Sequence, residues 1–210
     1  DDFANALRRD PRLPEGYFGR GELYRREKKY SEALASYDEA LKLMPQYPDA
    51  HNGKGEVFVL LDAGDRAMNE FNKALEINPR FAGAYNNRGK MYRKNGDYPR
   101  ALADFGKAIQ LDPLMFDAYY NRGFIYSLQG KSDLALADIQ KSLEINPSDG
   151  VRQGFLAKLY AKQGQDGLVF HHLELALENG YPVMELSKDP AFRSYQDNSR
   201  FQALLAEHQK

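Results

Sequence analysis

Five prolines recur at one fixed interval along this chain: Pro11, Pro45, Pro79, Pro113 and Pro147 are each 34 residues from the next. A proline lacks a backbone N–H and clashes with the preceding helical turn, so it ends one helix and prepares the start of another. A helix-ending proline every 34 residues predicts a tandem array of helical repeats of equal length. Each repeat cannot bury its apolar face alone and therefore packs against its neighbours.

Other columns recur with the prolines, in the order aromatic, glycine, aromatic, alanine, aromatic, alanine, proline. The third copy shows them most clearly, with Tyr85, Gly89, Tyr92, Ala101, Phe105, Ala108 and Pro113. The fourth copy has Ser142 where an alanine is expected, and a degenerate fifth copy keeps Tyr160, Leu173 and Ala176. Small residues let two helices approach closely while the aromatic rings fill the space between turns. A generic helical bundle would not repeat these columns at a fixed spacing.

This pattern resembles the tetratricopeptide-repeat family over residues 1–182. The resemblance implies an all-α fold, a right-handed α-solenoid of helix hairpins with a C-terminal capping helical segment. The expected boundaries are residues 1–11 for the second helix of an incomplete preceding repeat, 14–47, 48–81, 82–115 and 116–149 for repeats one to four, 150–182 for the degenerate repeat five, and 183–210 for the cap.

Glycines mark the turn between the two helices of most repeats. Gly96, Gly130 and Gly164 occupy this place in repeats three to five, where a positive φ costs glycine little. Repeat one has Lys28 and Lys29 there, and repeat two shifts its glycine to Gly64. We therefore expect the same turn in repeats three to five and a modified one in the first two.

The two ends depart from the repeat. Residues 1–11 place Phe3 in the aromatic column, so we expect a lone second helix whose partner belongs to a longer protein or to a processed segment; a natural single-helix cap is the alternative. Residues 183–210 predict a cap over repeat five, with Phe192 and Tyr195 on a short helix and a last helix beginning at Asn198 or Ser199. The string RFQALL, similar to the ends of some bacterial repeat proteins, hints at a bacterial source.

Composition narrows the function further. Lys and Arg total 29 against 30 Asp and Glu, which predicts neither nucleic-acid binding nor attraction to an anionic membrane. The longest apolar stretch, residues 57–61, is far shorter than a membrane span, so no membrane insertion is expected. The absence of cysteine excludes disulfides, thiolate metal sites and thiol nucleophiles. It leaves the compartment open: cytoplasmic, or periplasmic if a leader was removed.

The resemblance implies a concave groove lined by the first helix of each repeat. The groove residues expected to contact a bound peptide are Asn52, Asn86, Asn87, Lys90, Arg93, Lys94, Tyr120, Asn121, Phe124 and Lys158. The groove should be mixed in charge at its start, where Glu22, Arg25 and Glu56 lie, and more basic further on. A protein or peptide partner with an acidic or polar extended segment is the expectation, which charge reversal at Lys90 and Lys94 would test.

Two features of this groove carry the binding hypothesis. Asn87 and Asn121 occupy the same position in successive repeats, so their amides could form a ladder that grips an extended backbone. Tyr120 and Phe124, one helical turn apart, could add a side-chain pocket. The alternative is that the asparagines cap local backbone or meet only water, and that the lysines form a solvated face.

No constellation for catalysis is present. There is no phosphate loop, nucleophile elbow or dinucleotide fingerprint, and His171, His172, Glu174 and Glu178 lack the HExxH string of a zinc protease. Phe18 and Glu22 stand where family members that clamp chaperone tails have a lysine and an asparagine, so no such clamp is expected. The sequence predicts a scaffold or adaptor with no cofactor. The alternative is an assembly module that self-associates, as a homo-oligomer, through the incomplete repeat at Phe3 and Leu7.

Overall fold

The computed structural model describes Leu7 and residues 10–208. Most of the predicted N-terminal helix, including Phe3, lies outside the described residues. The described helices are α1 (Pro14–Arg26), α2 (Tyr30–Leu43), α3 (Pro48–Leu60), α4 (Gly64–Ile77), α5 (Ala82–Lys94), α6 (Tyr98–Leu111), α7 (Phe116–Leu128), α8 (Ser132–Ile145), α9 (Gly150–Lys162), α10 (Asp166–Glu178), α11 (Val183–Lys188) and α12 (Ser199–Glu207), with a 3₁₀ helix at Pro190–Tyr195 between the last two.

Consecutive helices pair as antiparallel hairpins, α1 with α2 through to α9 with α10. No strand occurs in the described part of the chain. The predicted all-α fold of tandem helix hairpins is confirmed. Every described helix is too short or too polar to cross a lipid bilayer.

The turns inside the hairpins use a left-handed residue in every repeat. Gly96, Gly130 and Gly164 have φ of 76°, 71° and 68°. In repeats one and two the same conformation falls on Lys28 and Asp62, with φ of 60° and 54°. Repeat two therefore keeps the left-handed residue at the same position, Asp62, and does not use Gly64 for the turn. A non-glycine residue in the left-handed conformation costs about 1–2 kcal/mol of conformational free energy.

The chain divides into two compact units, Asp1–Asp112 and Pro113–Lys210. In the first unit, glycines on the first helix of a repeat press against aromatic rings of the second helix. A methyl group placed on Gly55 would lie 2.4 Å from the Phe71 ring, and one on Gly89 would lie 2.8 Å from the Phe105 ring. Both rings are fully buried. The glycine and aromatic columns of the sequence thus form the tight contacts of each hairpin.

The second unit has one core that continues from the repeats into the C-terminal segment. Leu173 and Ala176 of α10 share this core with Phe192, Tyr195 and Phe201. The Tyr195 hydroxyl donates to Asp166 at the start of α10 at 2.5 Å. Ser142, which replaces an alanine, is fully buried and donates from Oγ to the carbonyl of Phe116 at 2.7 Å. The substitution is therefore accommodated by a hydrogen bond to the first helix of its own repeat.

Candidate functional site

Within each unit the first helices of successive repeats contact one another, α1 with α3 and α3 with α5 in the first unit. In the second unit α7 and α9 meet through aromatic and ionic contacts. We call the side of these helices on which such contacts lie the inner face. The candidate site is described on the inner face of each unit separately.

Two asparagines and a glutamate form a hydrogen-bonded set on the inner face of the first unit. Asn87 of α5 donates from Nδ2 to Asn52 Oδ1 at 3.1 Å and to Glu56 Oε1 at 2.9 Å. Asn52 donates to the same Glu56 oxygen at 3.0 Å. We call Asn52, Glu56 and Asn87 the amide ladder. It joins two neighbouring repeats, and each of its three side chains is half-buried.

Arg25 connects the amide ladder to the first repeat. Its guanidinium lies 3.1 Å from Glu56 and 2.6 Å from Glu22, and the Tyr37 hydroxyl donates to Glu22 at 2.5 Å. Burial alone would raise the pKa of the Glu22 carboxyl, but the hydrogen bonds from Arg25 and Tyr37 outweigh it and lower that pKa. Burial and the Glu22 carboxylate raise the pKa of Tyr37. The side chains of Glu22, Arg25 and Glu56 are thus fixed relative to one another by ion pairs and hydrogen bonds.

Two of the predicted groove asparagines are largely buried. Asn86 and Asn121 are 6% and 4% exposed, so little of either side chain is open to a ligand, and their contact with a peptide stays a prediction. The helix geometry explains this. Asn121 lies three residues after Ala118 and four before Ile125, both fully buried, and therefore shares their face. Asn86 lies three residues before Gly89, which packs against a buried ring.

The predicted pairing of Asn87 with Asn121 stays a prediction, because the two residues belong to different compact units. Within the first unit the donors of Asn87 go to α3 instead. The amide ladder therefore begins one repeat earlier than the sequence suggested, at Asn52.

Several of the predicted basic residues are paired within the chain. Lys94 lies 2.6 Å from Asp62, and Lys158 lies 2.5 Å from Asp189 of the C-terminal segment. Burial would lower the pKa of Lys158, but the Asp189 carboxylate outweighs it and raises that pKa. Lys90 forms no ion pair within residues 10–208, while Arg93 is half-buried on the same helix. The positive charge expected further along the groove is thus partly compensated.

The second unit carries an aromatic cluster on its inner face, formed by Tyr120, Phe124 and Phe155. The Phe155 ring centroid lies 5.8 Å from that of Tyr120 and 5.6 Å from that of Phe124. The space predicted between Tyr120 and Phe124 is thus lined by a third ring from α9. Sequence reasoning missed Phe155, although it holds the same position in its repeat as Asn87 does in repeat three.

The Arg152 side chain packs next to the aromatic cluster. It is 6% exposed and ion-paired with Asp117 and Asp149. Its guanidinium carbon lies 4.7 Å from the Phe116 ring centroid and 5.2 Å from that of Tyr120. Contact with an aromatic face suits a guanidinium, which is more weakly hydrated than an ammonium. Sequence reasoning gave no role to Arg152, since it is not among the residues that the family resemblance places in the groove.

His172 points into the hairpin of repeat five. Its Nδ1 lies 2.8 Å from Gln153 Oε1, and its ring stacks on Tyr160 with centroids 5.4 Å apart. Burial, with a smaller effect of His171, lowers the pKa of His172 to about 4. No group of three or more potential His, Asp or Glu ligands gathers within the described residues.

Comparison with family models matches most of the repeats. A model described as TPR repeat matches residues 21–62 and 89–130, and models described as Tetratricopeptide repeat match 70–103 and 116–149. No curated protein matches the sequence.

Solved structures share the fold at low sequence identity. PilF from Pseudomonas aeruginosa is 22% identical, with a TM-score of 0.80, 91% of this chain covered and 88% of that one. PilW, described as a widely conserved type IV pilus biogenesis factor, is 24% identical, with a TM-score of 0.79 and coverage of 92% and 91%. YrrB, described as a TPR protein with an unusual peptide-binding site, is 22% identical, with a TM-score of 0.62 and coverage of 89% and 96%. These similarities extend over helices of both compact units.

Proposed function

Because the chain belongs to the tetratricopeptide-repeat family, we propose that it is a non-catalytic scaffold that binds an extended polypeptide segment of a partner protein along the inner faces of its repeats. The amide ladder is the observation that carries this proposal. It places hydrogen-bonding groups from successive repeats next to each other on a half-buried face.

The hydrogen-bonding capacity of the amide ladder suits a peptide backbone. An asparagine amide offers two N–H donors and one carbonyl acceptor. Asn87 uses its nitrogen toward Asn52 and Glu56, and its carbonyl has no partner within the described residues. Asn52 uses one N–H toward Glu56, which leaves the other without a described partner. A peptide unit needs one acceptor for its N–H and one donor for its C=O, and these two groups supply one of each.

The surroundings of the amide ladder support binding without large rearrangement. Asn52 and Asn87 are fixed by Glu56, and Glu56 is fixed by Arg25. Side chains already held in one geometry lose less conformational entropy when a ligand arrives. A polypeptide in extended conformation exposes its backbone groups in regular succession, and adjacent repeats can read them through main-chain hydrogen bonds.

A phage-displayed library of random dodecapeptides, panned on the immobilised full chain, tests this function. We expect selected peptides to bind the chain in solution by fluorescence polarisation. Asn87→Ala should weaken binding by about fivefold to tenfold, since a hydrogen bond contributes about 1 kcal/mol.

Asn69→Ala is the matched control, because Asn69 is exposed on α4, the second helix of its repeat. It should leave the affinity unchanged. Equal affinity of wild type and Asn87→Ala for every selected peptide would contradict the proposal, as would a library that yields no binder. Sedimentation velocity on the same samples distinguishes peptide uptake by a monomer from self-association of the scaffold.

A further inference from the structure

The inner face of the second unit is apolar where that of the first is polar. Tyr120, Phe124 and Leu128 follow one another at four-residue intervals along α7 and therefore share a face. Phe155 of α9 contacts the first two rings, and Val151 lies four residues before it. Leu128 and Val151 are 54% and 53% exposed. The aromatic cluster is thus bordered by aliphatic side chains that remain open to solvent.

An apolar surface of this kind gains free energy when it covers an apolar side chain. Burying a phenylalanine or leucine side chain against such a surface removes apolar area from water, which is favourable. Aromatic rings add a preference for another ring, since tilted and edge-on pairs are stabilised beyond the area that they bury. A polar peptide would gain none of this.

Most charged side chains next to the aromatic cluster are ion-paired within the chain. Asp117 and Asp149 share Arg152, and Lys158 is paired with Asp189. Lys162, at the end of α9, is exposed and forms no ion pair within the described residues. Lys162 is therefore the cation on this helix that a ligand carboxylate can meet without displacing an existing ion pair.

Phe155 and Lys162 are seven residues apart on the same helix, hence on one face about 10 Å apart along its axis. An extended polyproline-type chain rises about 3.1 Å per residue and returns to the same side every third residue. Two side chains three residues apart in such a chain are therefore about 9 Å apart and point the same way.

We infer that the second unit selects partner segments in which an aromatic or large aliphatic residue stands three residues from an aspartate or glutamate. The apolar side chain docks on the aromatic cluster and the carboxylate meets Lys162. This inference rests on the proposed function and specifies the class of segment that the scaffold binds. Phe155 and Lys162 are the residues that determine the specificity.

The test uses the peptides selected on the full chain. Variants of the tightest-binding peptide are made in which a single aspartate stands one, two, three, four or five residues before or after the apolar residue. We expect one maximum of affinity at a separation of three. Phe155→Ala should weaken binding by about tenfold, in the range of a buried interface anchor, and Lys162→Glu by about threefold to fivefold, since an exposed ion pair contributes little.

Lys141→Glu makes the same charge change on α8, the second helix of its repeat, and should leave the affinity unchanged. Phe155→Leu, which keeps an apolar side chain, should retain most of the binding and guards against a folding defect in Phe155→Ala. Peptides that depend on Asn87 but bind Phe155→Ala and Lys162→Glu as tightly as wild type would overturn this inference and leave the proposed function intact. A library that yields no binder would overturn both.

Discussion

The guanidinium of Arg122 donates to both carboxylate oxygens of Asp138, from Nε at 2.7 Å and from Nη2 at 2.8 Å. Arg88 and Asp104 form the same bidentate pair one repeat earlier, at 2.8 and 2.9 Å. Each pair joins the two helices of one hairpin, sixteen residues apart, and each carboxylate is buried. Hydrogen bonding to Asp138 raises the pKa of Arg122. The pair is therefore a second contact between the helices, beside the glycine and aromatic columns.

We expect Asp138→Ala to lower the free energy of unfolding by about 2–3 kcal/mol, because it leaves a half-buried guanidinium without its carboxylate. Urea unfolding followed by circular dichroism measures the loss. The double variant Arg122→Met with Asp138→Leu should be more stable than Asp138→Ala, since no uncompensated charge remains. A double variant as unstable as the single one would show that the pair does not act through charge.

The sequence predicted the parts of the fold that depend on one residue type at one position. Glycine is the residue that fits closely against a ring, and proline is the residue that ends a helix, so each of these positions keeps one residue type and its column is visible in the sequence. The polar contact between the two helices of a hairpin can be made by several residue pairs. Repeat one uses Arg20 with Ser36 and repeat two uses Lys54 near Glu70, so the Arg–Asp pair of repeats three and four does not form a column through all repeats.

The site was predicted less completely for a related reason. The family positions identify the face of a helix, but they do not say which neighbour a side chain reaches. Asn87 bonds to Asn52, and Asn121 is buried by the turns around it. Lys158 is neutralised by Asp189, which lies outside the repeats and belongs to no column. Contacts between distant parts of the chain could not be derived from a period of 34 residues.

Gly89 and Gly106 offer a matched test of helix packing. Gly89→Leu should destabilise the chain by about 1–3 kcal/mol, because a side chain there overlaps the buried Phe105 ring. Gly106 lies within α6 and a methyl group placed on it meets nothing within 4 Å. Gly106→Ala should therefore stabilise by up to about 1 kcal/mol through helix propensity. Urea denaturation midpoints that move in the same direction for both variants would contradict this assignment.

Phe192 tests whether the C-terminal segment belongs to the core of the second unit. The side chain is fully buried, and its ring centroid lies 6.1 Å from that of Phe201. Phe192→Ala should cost about 3–5 kcal/mol, as expected for truncating a buried aromatic residue. Met184→Ala, at a position that is 67% exposed on α11, should change the thermal midpoint little. An unchanged midpoint for Phe192→Ala would mean that the segment folds independently of the repeats.

His172 makes the second unit sensitive to acid. Burial first, and then the charge of His171, lower its pKa from 6.5 to about 4, so the folded unit favours the neutral imidazole. The unfolded chain binds the proton near pH 6.5. The stabilising contribution is therefore fully present above pH 6.5 and is lost progressively as the pH falls toward 4.

The groups that face His172 from the neighbouring helix are neutral: Gln153, which accepts its hydrogen bond, and Tyr160, on which it stacks. None of them compensates a charged imidazole. We expect the urea midpoint of the wild-type chain to fall between pH 7 and pH 5. In His172→Phe the fall should be smaller, even though the variant is less stable at pH 7 because Gln153 loses its donor. His171→Gln should give an intermediate result, since it removes only the neighbouring charge. Parallel curves for wild type and His172→Phe over this pH range would show that the acid sensitivity has another source.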